Sequence, residues 1–209
     1  MKKRVVGSLI LINVVVYIVQ RQLPEFMAGH FALWPLGDGF QPWQLITSAF
    51  LHDPEGISHI LLNMYGLWMF GRIVEEAVGS RRFLWLYLAS VLTSALVQLV
   101  VVSAGDVGSY TVGASGGVFG VLLAFGMLFP HSRVMLIFPP IPMKAWFMVV
   151  AYGTIELVSG VTGTFQGVAH FAHLGGMLGA LILMLTWRRR LPPAPRDASK
   201  ESESGVKAS

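Results

Sequence analysis

Cysteine is absent from the chain. That excludes a disulfide framework, a thiolate nucleophile and any metal site built on cysteine. Charge is scarce as well. Only 12% of the 209 residues are charged, about half the roughly 25% of an ordinary soluble domain. With 54% hydrophobic residues, the leading class is a membrane protein. No His-Glu-x-x-His run is present, which removes the common helical zinc signature. No inverted repeat is visible, which argues against a transporter whose polar residues would cross the bilayer. The hydropathy leaves no room for alternating strands and helices around a serine, so a soluble hydrolase of that type is excluded too.

What is present is a series of apolar stretches. They run near residues 5–19, 57–71, 83–103, 115–130, 145–161 and 168–187. The expected fold is all-α, a six-transmembrane-helix bundle formed by residues 1–190. A Pro-, Ser-, Lys- and Glu-rich tail, residues 191–209, is expected to be disordered and cytoplasmic. The first stretch is short for a span of roughly 30 Å. It has no convincing small-residue cleavage site, so a retained helix is expected rather than a signal peptide. Residues 20–56 read as one long connection carrying Trp34, Trp43, Phe31, Phe40 and Phe50 between prolines, suited to a loop at the membrane interface. The proline-rich stretch 131–144 reads as a second loop.

Charge tests the six-span count. With the N-terminus in the cytoplasm, 14 of the 15 Lys and Arg residues fall inside and Arg21 alone falls outside. This is the positive-inside pattern. It removes nucleic acid as a partner despite the net charge of +4, and leaves the lipid bilayer.

Ionisable and polar groups inside spans are costly and functional by default. Here they are few. His59 and Asn63 are four apart and share a helix face; His170 and His173 are three apart and share another. Ser115 heads the fourth stretch, within Gly113-Ala114-Ser115-Gly116. In the six-span topology all five lie at the outer ends of their helices, so three separate segments bring Ser, His and Asn to one depth. A serine hydroxyl needs a base to take its proton, and histidine is the usual one. The oxyanion it generates needs donors, which Asn, His and the backbone amides of a helix N-terminus supply. No acidic residue stands out as a third member. Asp106 lies in the loop before Ser115, and Glu156 lies in the fifth stretch with no catalytic role assigned. A Ser–His dyad is the simpler reading. Three histidines could instead ligate a metal, but no carboxylate adjoins them in sequence, and no metal or other cofactor is expected. Gly175, Gly176 and Gly179 read as close helix packing.

Together these residues resemble the rhomboid family of intramembrane serine proteases. The match lies in Gly113-Ala114-Ser115-Gly116, in Ala172-His173-Leu174-Gly175-Gly176 and in His59-x-x-x-Asn63. The resemblance implies that Ser115 is the nucleophile and His173 the general base. It implies that His59, Asn63 and the Ser115 backbone N–H stabilise the oxyanion, with Gly113, Gly116 and His170 in support. It also implies transmembrane protein substrates, and neither a metal nor a nucleotide. Where the family often shows Trp-Arg in the first loop, this chain has Trp43-Gln44. The bare core looks bacterial within the family, so the expected location is a bacterial inner membrane, with the site opening outward. The alternative is a non-proteolytic relative that binds or escorts transmembrane clients. Such relatives typically lack the serine or the histidine, and this chain keeps both.

Overall fold

The computed structural model describes residues 5–104, 110–135, 141–164 and 168–187. Among these, the elements in chain order are α1 (Val5–Gln22), α2 (Pro24–Phe31), α3 (Gln44–Thr47) with a 3-10 turn (Ser48–Phe50), α4 (Ile57–Gly66), a π-helical turn (Leu67–Gly71), α5 (Arg72–Val78), α6 (Ser80–Ala104), α7 (Ser115–Leu128), β1 (Arg133–Met135), β2 (Pro142–Lys144), α8 (Ala145–Thr162) and α9 (His170–Trp187). Four of the helices, α1, α6, α8 and α9, are long and apolar enough to cross a membrane.

The long helices are inside out relative to a soluble bundle. On α1 the buried residues are Val6, Leu9, Asn13, Tyr17 and Gln20, at steps of three and four. The opposite face, with Leu11, Ile12, Val15 and Ile18, is exposed. On α8 the exposed face carries Trp146, Phe147, Val150 and Val161, while Glu156 and Ser159 point inward. A continuous apolar outer surface with polar residues turned inward fits hydrocarbon surroundings.

The core of the bundle is α6, α7 and α9, held together by residues too small to keep their backbones apart. A Cβ on Gly116 would collide with Ser94 of α6, and one on Gly117 would lie 2.6 Å from the Tyr87 ring. A Cβ on Gly175 would lie 2.9 Å from the Thr93 carbonyl, and one on Gly176 would strike the Gly116 carbonyl of α7. The three glycines of α9 therefore act in packing, as their spacing indicated.

The structure departs from the sequence reading in several places. The first helix reaches Gln22 rather than residue 19. Its extra turn is held where Gln20 is buried and pairs with the His52 backbone, donating to the carbonyl (2.6 Å) and accepting from the N–H (2.9 Å). The long connection is not loop throughout, since it contains α2, α3 and the 3-10 turn. Gln44 organises it, being fully buried: its side-chain oxygen accepts from Trp34 N–H (3.2 Å) and Gln41 N–H (3.1 Å). Beyond the expected stretch 57–71 the helix continues through the charged residues Arg72–Glu76 and ends only at Gly79, whose φ of 85° favours glycine. The third helix starts at Ser80 and runs to Ala104, longer than 83–103, while α7 stops at Leu128 and α9 begins at His170. Within the stretch read as a second loop, β1 and β2 pair antiparallel, Arg133 opposite Lys144 and Met135 opposite Pro142. The tail 191–209 and Asp106 lie outside the described residues.

Candidate active site

The approach to Ser115 is built before the helix begins. Leu33 and Thr111 exchange backbone hydrogen bonds of 3.0 and 2.9 Å in an isolated antiparallel bridge. Gly113 N–H donates to the Ser48 carbonyl at 3.0 Å. The first connection therefore buttresses the strand that leads into α7. Gly113 has φ 135°, a conformation that side-chain-bearing residues rarely adopt. A Cβ there would sit 3.0 Å from His59 Nε2 and 3.5 Å from Ser115 Oγ. Glycine keeps the space between those two groups open.

The first helical bond of α7 runs from Val118 N–H to the Ala114 carbonyl (3.0 Å). The N–H groups of Ser115, Gly116 and Gly117 precede it and have no acceptor within the helix. The positive end of the helix dipole lies at the same place. Ser115 Oγ is 2.9 Å from His173 Nε2, a hydrogen bond between α7 and α9. The His173 ring lies flat on Phe119, with centroids 4.2 Å apart and planes within 7°. Ser115 and Phe119 are four residues apart on one face of α7, so a single helix both bonds and stacks the imidazole.

His59 and Asn63 approach from α4. His59 Nδ1 accepts a hydrogen bond from Asp53 N–H at 3.3 Å. In the neutral ring this leaves the proton on Nε2, the nitrogen that faces Gly113 and Ser115. One N–H of the Asn63 amide donates to the His59 carbonyl at 2.9 Å, and its second remains available. His59, Asn63, Ser115 and His173 all line one open cleft of about 750 Å³. His52 packs edge-on to His59 with centroids 5.1 Å apart. It is fully buried, and among the described residues neither ring nitrogen has a well-aligned hydrogen-bond partner. Burial, reinforced by the nearby His59, lowers its pKa from 6.5 to about 4, so it is neutral at physiological pH.

His170 is not part of the cleft. It turns toward α8, where its Nδ1 lies 2.6 Å from Glu156 Oε2, while its Nε2 contacts the Thr164 carbonyl at 3.0 Å. The same Glu156 oxygen lies 3.0 Å from His173 Nδ1, off the line of the ring N–H. An acid that has no neighbour in sequence thus adjoins both histidines in space. The sequence, in which no acidic residue stood out as a third member, did not show this proximity. Among the described residues, Glu156, His170 and His173 bring their ligand atoms within 4.8 Å of one another, a spacing to be tested against metal binding. Two ligands on one zinc at about 2.0–2.1 Å stand roughly 3.3 Å apart. The 2.6 Å separation of His170 and Glu156 is that of a strong hydrogen bond instead. Sequence reasoning also passed over Phe119 and His52. The signal for Phe119 was its four-residue spacing from Ser115.

A family profile described as the Rhomboid domain matches residues 39–190, well over half of the chain. Rhomboid protein 1, mitochondrial, of Saccharomyces cerevisiae is 35% identical over 141 residues, covering 66% of this chain and 40% of that protein. The human presenilin-associated rhomboid-like protein, mitochondrial, is 29% identical over 202 residues, covering 91% of this chain and 51% of that protein. Rhomboid protease GluP of Bacillus subtilis is 30% identical over 141 residues, covering 66% and 24%. The chain spans about half or less of the length of these relatives. Mitochondrial proteins stand beside the bacterial one, so the expected bacterial inner membrane is not supported by them. With a family profile spanning the helices that carry Ser115 and His173, the chain belongs to the rhomboid family.

Proposed function

We propose that the chain is an intramembrane serine endopeptidase that hydrolyses peptide bonds in or near transmembrane segments of membrane proteins. The observation that carries the reading is the 2.9 Å contact between Ser115 Oγ and His173 Nε2 at the unpaired N-terminus of α7.

Ser115 Oγ attacks the substrate carbonyl carbon as its proton passes to His173 Nε2. The carbonyl electron pair moves to oxygen, where the Ser115 N–H, the His59 Nε2–H and the Asn63 amide meet the developing charge. The tetrahedral intermediate collapses as the proton leaves His173 for the departing amine, and the C–N bond breaks. Water then repeats the cycle on the acyl-enzyme. Gly113 keeps the oxyanion position clear, and Gly116 lets α7 seat against α6.

The same reading gives a single unit over residues 1–190 with six spans. The run Ile57–Gly66, Leu67–Gly71 and Arg72–Val78 is helical without a break, 10, 5 and 7 residues in turn. At about 1.5 Å per residue it measures roughly 33 Å, enough for one crossing. The 14 residues of α7 measure only about 21 Å. That recesses Ser115 from the membrane surface, and water reaches it through the cleft. On this reading the basic residues other than Arg21 and both termini lie on the cytoplasm-equivalent side, with the cleft opening to the other. The tail 191–209 belongs to the basic side.

The test is covalent labelling of the detergent-solubilised protein with a fluorescent fluorophosphonate, beside Ser115→Ala and His173→Ala. Labelling of the parent and loss in both variants is the expected result. Equal labelling of Ser115→Ala removes the nucleophile assignment. A folded parent that never labels moves the reading to the non-proteolytic, client-binding alternative.

A further inference from the structure

Resting on the Ser115–His173 reading, we infer that Glu156 is a positioning residue for His173, and that His170 behind it shares one proton with Glu156. The site is then a chain of four groups from three helices: Ser115, His173, Glu156 and His170.

Hydrogen-bond donors and acceptors can be counted along this chain. His170 Nε2 faces the Thr164 carbonyl, an acceptor only, so Nε2 carries a hydrogen. Its Nδ1, 2.6 Å from Glu156 Oε2, then needs one further proton between the two atoms. That proton lies either on His170, making an imidazolium beside a carboxylate, or on Glu156, making a neutral pair. Both forms have zero net charge, which suits two side chains that are each about nine-tenths buried. In both, Oε2 keeps a free lone pair aimed at the side where His173 Nδ1 lies, 3.0 Å away. A lone pair there favours the tautomer with hydrogen on Nδ1. Nε2 is thereby left as the acceptor facing Ser115 Oγ at 2.9 Å. The Nδ1–Oε2 approach is off-line at rest. A small rotation of the carboxylate aligns it, as is usual when such bonds tighten on the way to the transition state.

The pair also answers the charge that appears during acylation. When His173 takes the Ser115 proton it becomes an imidazolium. With the shared proton held on His170, a full carboxylate then faces the new cation. No net charge enters or leaves the pair, and the same proton returns to its shared position when His173 passes its own to the leaving amine. Among the described residues, the other ionisable groups near this region include Asp53, His59 and Tyr110, which line the cleft with Ser115 and His173, and Tyr152 of α8, whose ring packs edge-on to Phe119.

Glu156→Gln is the informative variant. It keeps the shape and replaces the shared acceptor with an amide. Its NH₂ satisfies both Nδ1 atoms as acceptors, which locks His173 with hydrogen on the nitrogen facing Ser115. The comparable acid-to-amide change in chymotrypsin-like triads costs about 10⁴-fold in kcat. Here a loss of at least about 100-fold in labelling rate and in kcat on a transmembrane substrate is expected, with KM within about threefold of the parent. Glu156→Asp keeps the acceptor on a shorter arm and should recover part of the rate at the same thermal stability. His170→Ala should lower the rate less than Glu156→Gln. Parental labelling by Glu156→Gln, with Ser115→Ala silent, overturns this inference and leaves the Ser115–His173 reading standing. If Glu156→Gln does not fold, a folded Glu156→Asp with no recovery over Glu156→Ala overturns it as well. Equal labelling of Ser115→Ala and the parent overturns the underlying reading, and this one with it.

Discussion

Gly176→Ala should inactivate the protein through geometry alone, without changing any side chain that carries the chemistry. A methyl at this position would overlap the Gly116 carbonyl oxygen and lie 2.6 Å from its carbon and 3.0 Å from the Gly116 Cα. The obstacle is backbone of the neighbouring helix, so no side chain can rotate away. Restoring ordinary carbon–carbon contact at about 3.5–4.0 Å requires α7 and α9 to part by on the order of 1 Å. Gly116 follows Ser115 directly, and His173 lies one turn before Gly176, so the separation falls on the 2.9 Å Ser115–His173 bond. Overpacking of this kind costs about 1–3 kcal/mol in stability. A displacement of about 1 Å between reacting groups costs about 100-fold in rate. The assay is a fluorophosphonate labelling time course in detergent, beside thermal unfolding of the same samples. Gly7→Ala is the control, since nothing lies within 4 Å of a Cβ there and alanine favours the helix by about 1 kcal/mol. Labelling of folded Gly176→Ala within threefold of the parent would refute the reasoning.

Other expectations follow from single contacts. Phe119→Ala removes the ring under His173; at about 0.5–1.5 kcal/mol for such a pair, labelling should slow by about 3- to 10-fold with little loss of fold. His52 is neutral when folded, with its pKa near 4 against 6.5 when exposed. The unfolded chain therefore binds the extra proton, and stability is full above pH 6.5 and falls as pH drops toward 4, by on the order of 3 kcal/mol. Unfolding midpoints between pH 7.5 and 4.5 should show this slope, and His52→Leu should flatten it; an equal slope in the variant removes His52 as the cause. Substrate cleavage should fall in step with added helix stability around the scissile bond, because a helical carbonyl must be freed before Ser115 reaches it; a flat response across a graded glycine-to-alanine series counts against that.

The parts of the site legible in the sequence were those whose meaning is carried along one helix. His59 and Asn63 share a face at a spacing of four, and Ser115 heads a helix, so type and position alone marked them. Positive-inside charge gave the expected orientation of the spans, because it depends on loops, not packing. Glu156 was visible as an acid in a span, but its partners were not. They come from α9, and only the approach of α8 to α9 brings Oε2 to both imidazoles. The helical content of the first connection was hidden for a related reason. Gln44 is polar by type yet fully buried, and its bonds to Trp34 and Gln41 exist only once the chain has folded back on itself. The π-helical turn at Leu67–Gly71 has no sequence signature that periodicity reads.

Glu75 has a bearing on how the chain is made. Its buried carboxylate accepts from the first two described amides of α1, Val5 N–H at 2.8 Å and Val6 N–H at 3.0 Å, and from Ser80 Oγ at 2.6 Å. Glu75 is separated from Val5 by 70 residues of chain. At about 5–20 residues per second of synthesis, α1 waits roughly 4–14 s after emerging before its clamp exists. The helix and the carboxylate that holds it are thus separated in time as well as in sequence, and α1 keeps its place through that interval without Glu75.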